Sequence, residues 1–214
     1  MKRPALLARE MLPAAGHQKR SLDKRERLKA AALARFGDVG YERAAIEDIA
    51  RDARVAVGGF YRHFRSKRQL LLVLVDDLLR ELEGVNLRLD ATVPPRVALR
   101  ELLDRAFSAD LRYVGAYRAW EEAARSDPAL ARLRTEVRAW TASRVARVFT
   151  TLQQWPGARP DLDIPGLAAM MNSLFWNMLA DARADRRSLR RSIDAATHLM
   201  FHALFTDGPP KRRR

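Results

Sequence analysis

Apolar residues recur every third or fourth position along nearly all of this 214-residue sequence, and no segment alternates as a strand would. That single periodicity restricts the chain to an all-α fold of about nine helices. Leu28, Ala32 and Phe36 mark the first, with Leu33 widening its face and Gly40 placed where a left-handed cap would end it. Ile46, Ile49, Ala50 and Ala53 mark a two-turn helix that opens with Glu47 and Asp48, favourable for its dipole. Phe60 and Phe64 mark another short one. Ser66 and Gln69 then read as a capping box for a helix over 70–82, extending towards Leu89. Pro94 and Pro95 end that helix. Further helices are expected over 97–113, 117–125, from Pro128 (capped by Asp127) to about Gln154, over 165–183 and over 188–205.

Charge divides the chain unevenly. Residues 1–68 carry 17 basic and 8 acidic side chains, a net of +9, whereas residues 69–210 carry 19 and 18. A basic head on a nearly neutral body points to a polyanion at the head. The organisation expected is a flexible basic arm (1–20), a three-helix head (21–68), a body (69–206) and a basic tail (207–214). The absence of cysteine rules out disulfides, thiol catalysis and cysteine-ligated zinc. No apolar run reaches the 18 residues of a membrane span, and residues 1–19 lack the apolar core of a secretory signal. A cytoplasmic protein without membrane association is the expectation.

The two short helices after a longer first one have helix-turn-helix spacing, in which the second short helix enters the DNA major groove. Two consecutive glycines there, Gly58 and Gly59, each cost about 1 kcal/mol of helix propensity. With Phe60 and Phe64 inward, both glycines and Arg62 are expected to face outward. The glycines then give clearance for the groove, and Arg62 is a long donor able to reach guanine. The competing reading makes the glycines a simple turn before a helix that starts at Phe60.

The stretch from Arg25 to Leu71 resembles the DNA-binding region of the TetR family of bacterial repressors. Ala31, Ala32, Phe36, Gly40, Ile49, Ala50, Val55, Gly58, Tyr61, His63, Phe64, Lys67 and Leu70 carry the likeness. The resemblance implies DNA contacts from Arg54, Val57, Gly58, Gly59, Tyr61, Arg62, His63 and Lys67, with Tyr61, His63 and Lys67 at phosphate-contacting positions. Lys19, Arg20, Lys24, Arg25 and Arg27 add basic groups for the adjacent minor groove or phosphates. Three departures stand out. Ala45 and Ala56 replace capping hydroxyls, and Arg54 replaces the turn glycine, which strains the backbone if that position stays left-handed.

For the body, the resemblance implies an effector-binding and dimerisation domain. Phe107, Tyr113, Tyr117, Trp120 and Trp140 are the candidate walls of an apolar pocket, although aromatics at helical spacing equally make plain core. Glu121 and Glu122 beside Trp120 are placed to orient a ligand or to face solvent. Leu174, Phe175, Met178, Ile193, Met200 and Leu204 are candidates for a seam between the last two helices of two copies. His198 and His202 are four apart but lack a third ligand, so no metal or other cofactor is expected. No phosphate loop, dinucleotide fingerprint or serine elbow is present, and no enzyme is expected. The reading is a dimeric, ligand-responsive repressor acting on a near-palindromic double-stranded operator. Its alternatives are a DNA-binding or architectural protein without a ligand, and an all-α enzyme with an accessory DNA-binding head.

Overall fold

The structure, a computed structural model, describes residues 1–8, 10–13, 19–181 and 186–206. Among the described residues the chain forms nine α-helices: α1 (Lys19–Arg43), α2 (Ile46–Asp52), α3 (Val57–Tyr61), α4 (Lys67–Gly84), α5 (Pro95–Asp110), α6 (Val114–Ala123), α7 (Pro128–Leu152), α8 (Ile164–Asp181) and α9 (Arg186–Leu204). A 3-10 turn, Leu111–Tyr113, precedes α6. The basic tail, residues 207–214, lies outside the described residues.

Local signals placed the helix ends. Gly40 has φ 82° and ψ 176°, a region essentially closed to other residues, and it kinks the end of α1. Asp127 Oδ1 accepts from the amides of Ala129 and Leu130 and so caps α7. Gln69 N–H donates to Ser66 Oγ at 3.1 Å, while Gln69 Oε1 accepts from Arg65 N–H at 2.9 Å. Ser66 thus caps α4 as predicted, but Gln69 reaches back to the Arg65 amide, one residue before the cap, rather than to that of Ser66. Helix α1 begins at Lys19, so the basic residues 19–27 are helical rather than part of an extended arm.

The chain divides into two units. One comprises Arg3–Glu83 and Asp110–Thr135, so α4 and α6 belong with the head rather than apart from it. The reason is visible at the α1–α6 crossing. A Cβ at Gly115 would stand 2.2 Å from the Leu33 carbonyl oxygen, and a Cβ at Gly37 would stand 3.6 Å from the Gly115 Cα. Gly115 lets the backbones approach this closely, whereas a Cβ at Gly37 would make only ordinary contact. The core beneath holds Leu28, Ala32, Phe36, Ile49, Phe60 and Phe64, each at most 1% exposed.

Residues 3–8 and 10–12 pack within this unit instead of extending freely. Arg3 pairs with Asp76 at 2.5 Å and Glu83 at 3.2 Å, Leu6 is buried, and Glu10 pairs with Arg68 at 2.6 Å. Lys29 joins α1 to α4 through Asp77 at 2.8 Å.

The other unit comprises Met1–Lys2, Gly84–Ala109 and the chain from Glu136 onward. Leu99, Leu102, Phe149, Leu152, Ala168, Met200, Leu204 and Phe205 form its core. The buried Trp176 donates through Nε1 to Thr141 Oγ1 at 3.2 Å, joining α8 to α7.

Candidate nucleic-acid interface

Helix α3 is held from behind by aromatic packing, because neither α2 nor α3 has a side-chain cap. Ala45 and Ala56 occupy the two N-cap positions and make no cap hydrogen bond. Phe60 stacks edge-on with Tyr61 at 5.4 Å and tilts against Phe64 at 5.8 Å. Arg25 covers the other side of Phe64, 4.5 Å from its ring centroid, and donates to the His63 carbonyl at 3.0 Å. This contact takes Arg25 out of the set of free basic groups.

The outward face of the short helix carries Val57, Gly58, Tyr61 and Arg62, with Tyr61 50% exposed. Nothing lies within 4 Å of a Cβ built at Gly58. Gly59 differs, and here the outward expectation is corrected. It is half-buried, and a Cβ there would meet Val55 Cγ1 at 2.6 Å. Neither glycine has a positive φ, so both are helical and the simple-turn reading does not hold. Gly58 leaves space outside the protein, while Gly59 leaves space for the turn behind it.

Arg54 does adopt the left-handed conformation, with φ 54°. A non-glycine residue is held there at a cost of order 1 kcal/mol. Its exposed guanidinium has no ion pair or hydrogen bond among the described residues, and the same is true of the side chains of Arg62 and Arg65. Arg54 and Arg27 also line a groove of about 420 Å³ between α1 and the end of α2, floored by Ala30, Ala31, Ala34 and Ala53. Sequence reasoning missed Arg65, whose exposure follows from its place just beyond α3.

His63 and Lys67 are less open than their types predict. His63 is 8% exposed. Burial first, then the positive charges of Arg25, Lys24 and Arg62, hold its imidazole below the ordinary histidine pKa. It is therefore a neutral group at pH 7. Lys67 Nζ donates to the carbonyls of Tyr41 at 2.7 Å and Glu42 at 3.2 Å, and lies 4.5 Å over the Tyr41 ring. Two of its three ammonium donors are thus engaged within the fold.

The aromatic candidates for a pocket are divided between the units. Phe107 and Trp140 lie in one, where Phe107 packs on Phe175 at 4.8 Å and Arg144 sits 5.2 Å from the Trp140 ring. Tyr113, Tyr117 and Trp120 lie in the other, at the start of α6 and along it. Trp120 is 1% exposed, yet its Nε1 has no hydrogen-bond partner among the described residues. Neither adjacent glutamate supplies one. Glu121 pairs with Arg134 at 3.0 Å, and Glu122 accepts from backbone amides of the head.

Of the seam candidates, Ile193, Met200 and Leu204 are buried within the chain, whereas Leu174, Phe175 and Met178 are half-buried. Met170 on α8 and Leu199 on α9, both passed over by the sequence reading, are 70% and 56% exposed. The His198 and His202 rings lie 4.3 Å apart, but no cluster of three metal-ligating side chains occurs among the described residues. Among those residues no helix is long and apolar enough to cross a membrane.

Comparison with known proteins bears directly on this head. Residues 28–74 match the family model described as bacterial regulatory proteins, tetR family. Residues 28–74 are thus a TetR-family head. A 47-residue stretch is 47% identical to the A-factor receptor protein of Streptomyces griseus, spanning 22% of this chain but only 17% of that receptor. The regulatory protein TetR from Rhodobacter sphaeroides superposes with a TM-score of 0.66 at 21% identity, covering 84% of this chain and 97% of that one. A transcriptional regulator from Rhodococcus sp. Rha1 gives 0.62 at 21%, covering 86% and 99%. A transcriptional regulator from Saccharomonospora viridis in complex with choline gives 0.64 at 19%, covering 86% and 99%. At such identities these structures speak for the fold alone.

Proposed function

We propose that this TetR-family chain is a ligand-responsive repressor, cytoplasmic and without enzymatic activity, that binds a near-palindromic operator as a dimer. The observation that carries DNA binding is the outward face of α3. Gly58 leaves the helix backbone uncovered there, beside the exposed Tyr61 and the unpaired guanidiniums of Arg54 and Arg62. Arg62 reads base edges, and Tyr61 and Arg54 contact phosphates. Val57 lies in apolar contact with the groove. Lys67 and His63 each offer one further donor to the backbone, and Gly59 acts by seating α3 rather than by touching DNA.

Self-association is supported by Met170 and Leu199, apolar side chains left in water on the last two helices. Effector binding is supported by Trp120. A buried donor without an acceptor costs about 1–3 kcal/mol, and an effector oxygen at Nε1 removes that cost. The aromatic setting of Tyr113, Tyr117 and Trp120 fits a small apolar or aromatic effector that carries one acceptor. Effector binding then shifts α4 and lowers operator affinity.

Selecting duplexes from random-sequence DNA with the purified protein tests the reading. Two half-sites related by a dyad, about one helical turn apart, are the expected result. Recovery of unrelated sequences would favour an architectural DNA-binding protein instead.

A further inference from the structure

The last residues of α1, beyond its kink at Gly40, form the linker to α2 and are gripped from two sides by opposite charges. On one side, the Glu122 carboxylate at the end of α6 accepts from the Tyr41 amide at 2.7 Å and the Glu42 amide at 3.2 Å. On the other, Lys67 Nζ, in the first turn of α4, donates to the carbonyls of the same two residues at 2.7 and 3.2 Å. Both residues are thereby held through their N–H and their C=O, and the peptide unit between them is held at both ends. The backbone is shaped for the contact. Gly40 turns the chain at φ 82°, and any Cβ there would stand 2.5 Å from Glu122 Oε2. The α1–α6 crossing at Gly37 and Gly115 brings α6 close enough for the carboxylate to reach.

Charge-assisted bonds of this kind are about twice as strong as neutral ones. They act at an informative place. The linker leads directly into α2, which begins at Ile46 without a cap, and Lys67 follows directly on the segment that closes α3. The helix-turn-helix lies between the two gripped points in sequence, and its own caps are missing at Ala45 and Ala56.

We infer that Glu122 is a positioning residue for DNA recognition: from the end of α6 it sets the posture of the α1–α2 linker, and through it of α2 and α3, with Lys67 as the opposing grip. The inference rests on the DNA-binding reading for its consequence but not for its geometry. Tyr41 and its neighbours are thus the point at which a change in α6 reaches the recognition helix.

Two full-length variants test it. Glu122→Ala removes both acceptors, and Glu122→Gln keeps the shape and one acceptor. Amide hydrogen exchange is read residue by residue, together with affinity for a duplex selected by the wild-type protein. In E122A the amides of residues 41 and 42 should exchange at least tenfold faster. The acceleration should spread across residues 46–61 while the α1 core around Ala32 stays protected. Affinity for the selected duplex should fall about tenfold, with E122Q intermediate on both readouts; this isosteric variant carries the test if E122A fails to fold. Acceleration confined to residues 41 and 42, or unchanged duplex affinity in either folded variant that has lost protection there, would overturn the inference. A wild-type protein that selects no duplex would end the DNA-binding reading, while the spread or confinement of exchange would still decide the clamp.

Discussion

Glycine serves two opposite purposes in one unit of this protein, at the α1–α6 crossing and on α3. At the crossing, Gly115 is enclosed, and the Leu33 carbonyl fills the space that a Cβ would need. On α3, Gly58 has nothing within 4 Å of that position. Gly59, one residue on, sides with the crossing because Val55 occupies the space that its side chain would need. Glycine on a short helix is therefore evidence for close approach, but only the surroundings say whether the approaching body is the protein itself or something outside it.

The largest effect that sharpens this contrast is expected at the crossing. Gly115→Val would force α6 away from α1, and overpacking of this kind costs about 1–3 kcal/mol, occasionally more. Since the clash is with backbone, the upper end of that range is expected. A urea titration should show a lower midpoint. An unchanged midpoint would mean that the two helices do not need their close approach.

Arg54 offers a smaller effect of the opposite sign. Glycine at a left-handed position relieves about 1 kcal/mol of strain, so Arg54→Gly should raise the urea midpoint. The same change removes an unpaired guanidinium from the recognition side. The slope of log affinity against log salt should then become shallower by about 0.9 for each phosphate that is no longer neutralised. A stabilised variant with an unaltered slope would place Arg54 outside the interface.

What was legible in the sequence was local. Gly40 at the end of α1, Asp127 before α7, the Ser66 cap of α4, the uncapped Ala45 and Ala56 and the left-handed Arg54 all depend on residues within a few positions of one another. The head was legible for the same reason, since its motif fits within three short helices. What could not be read depends on residues far apart in the chain. The hold of Glu122 on Tyr41 spans 81 residues, and Arg3 meets Asp76 across 73. A one-dimensional pattern gives no sign of either, so Glu122 looked like a ligand or solvent residue and residues 1–20 like a free arm. Gly59 escaped for a subtler reason. The 100° step of a helix put it on the outer face, but Val55, in the turn before α3, comes back against it. The exposed Met170 and Leu199 were missed because a helical apolar stripe does not show which of its residues the core leaves uncovered.

Gly58 tests most directly whether α3 is the recognition element. Gly58→Leu adds a side chain where no protein atom is in the way, and it improves helix propensity by somewhat under 1 kcal/mol. Melting temperature and affinity for the selected duplex should be measured on one sample. The melting temperature should equal or slightly exceed that of wild type. Duplex affinity should be at least tenfold weaker, the loss of about 1–3 kcal/mol that follows when close base contacts are blocked. A stable Gly58→Leu protein that binds the duplex as tightly as wild type would contradict α3 as the recognition element.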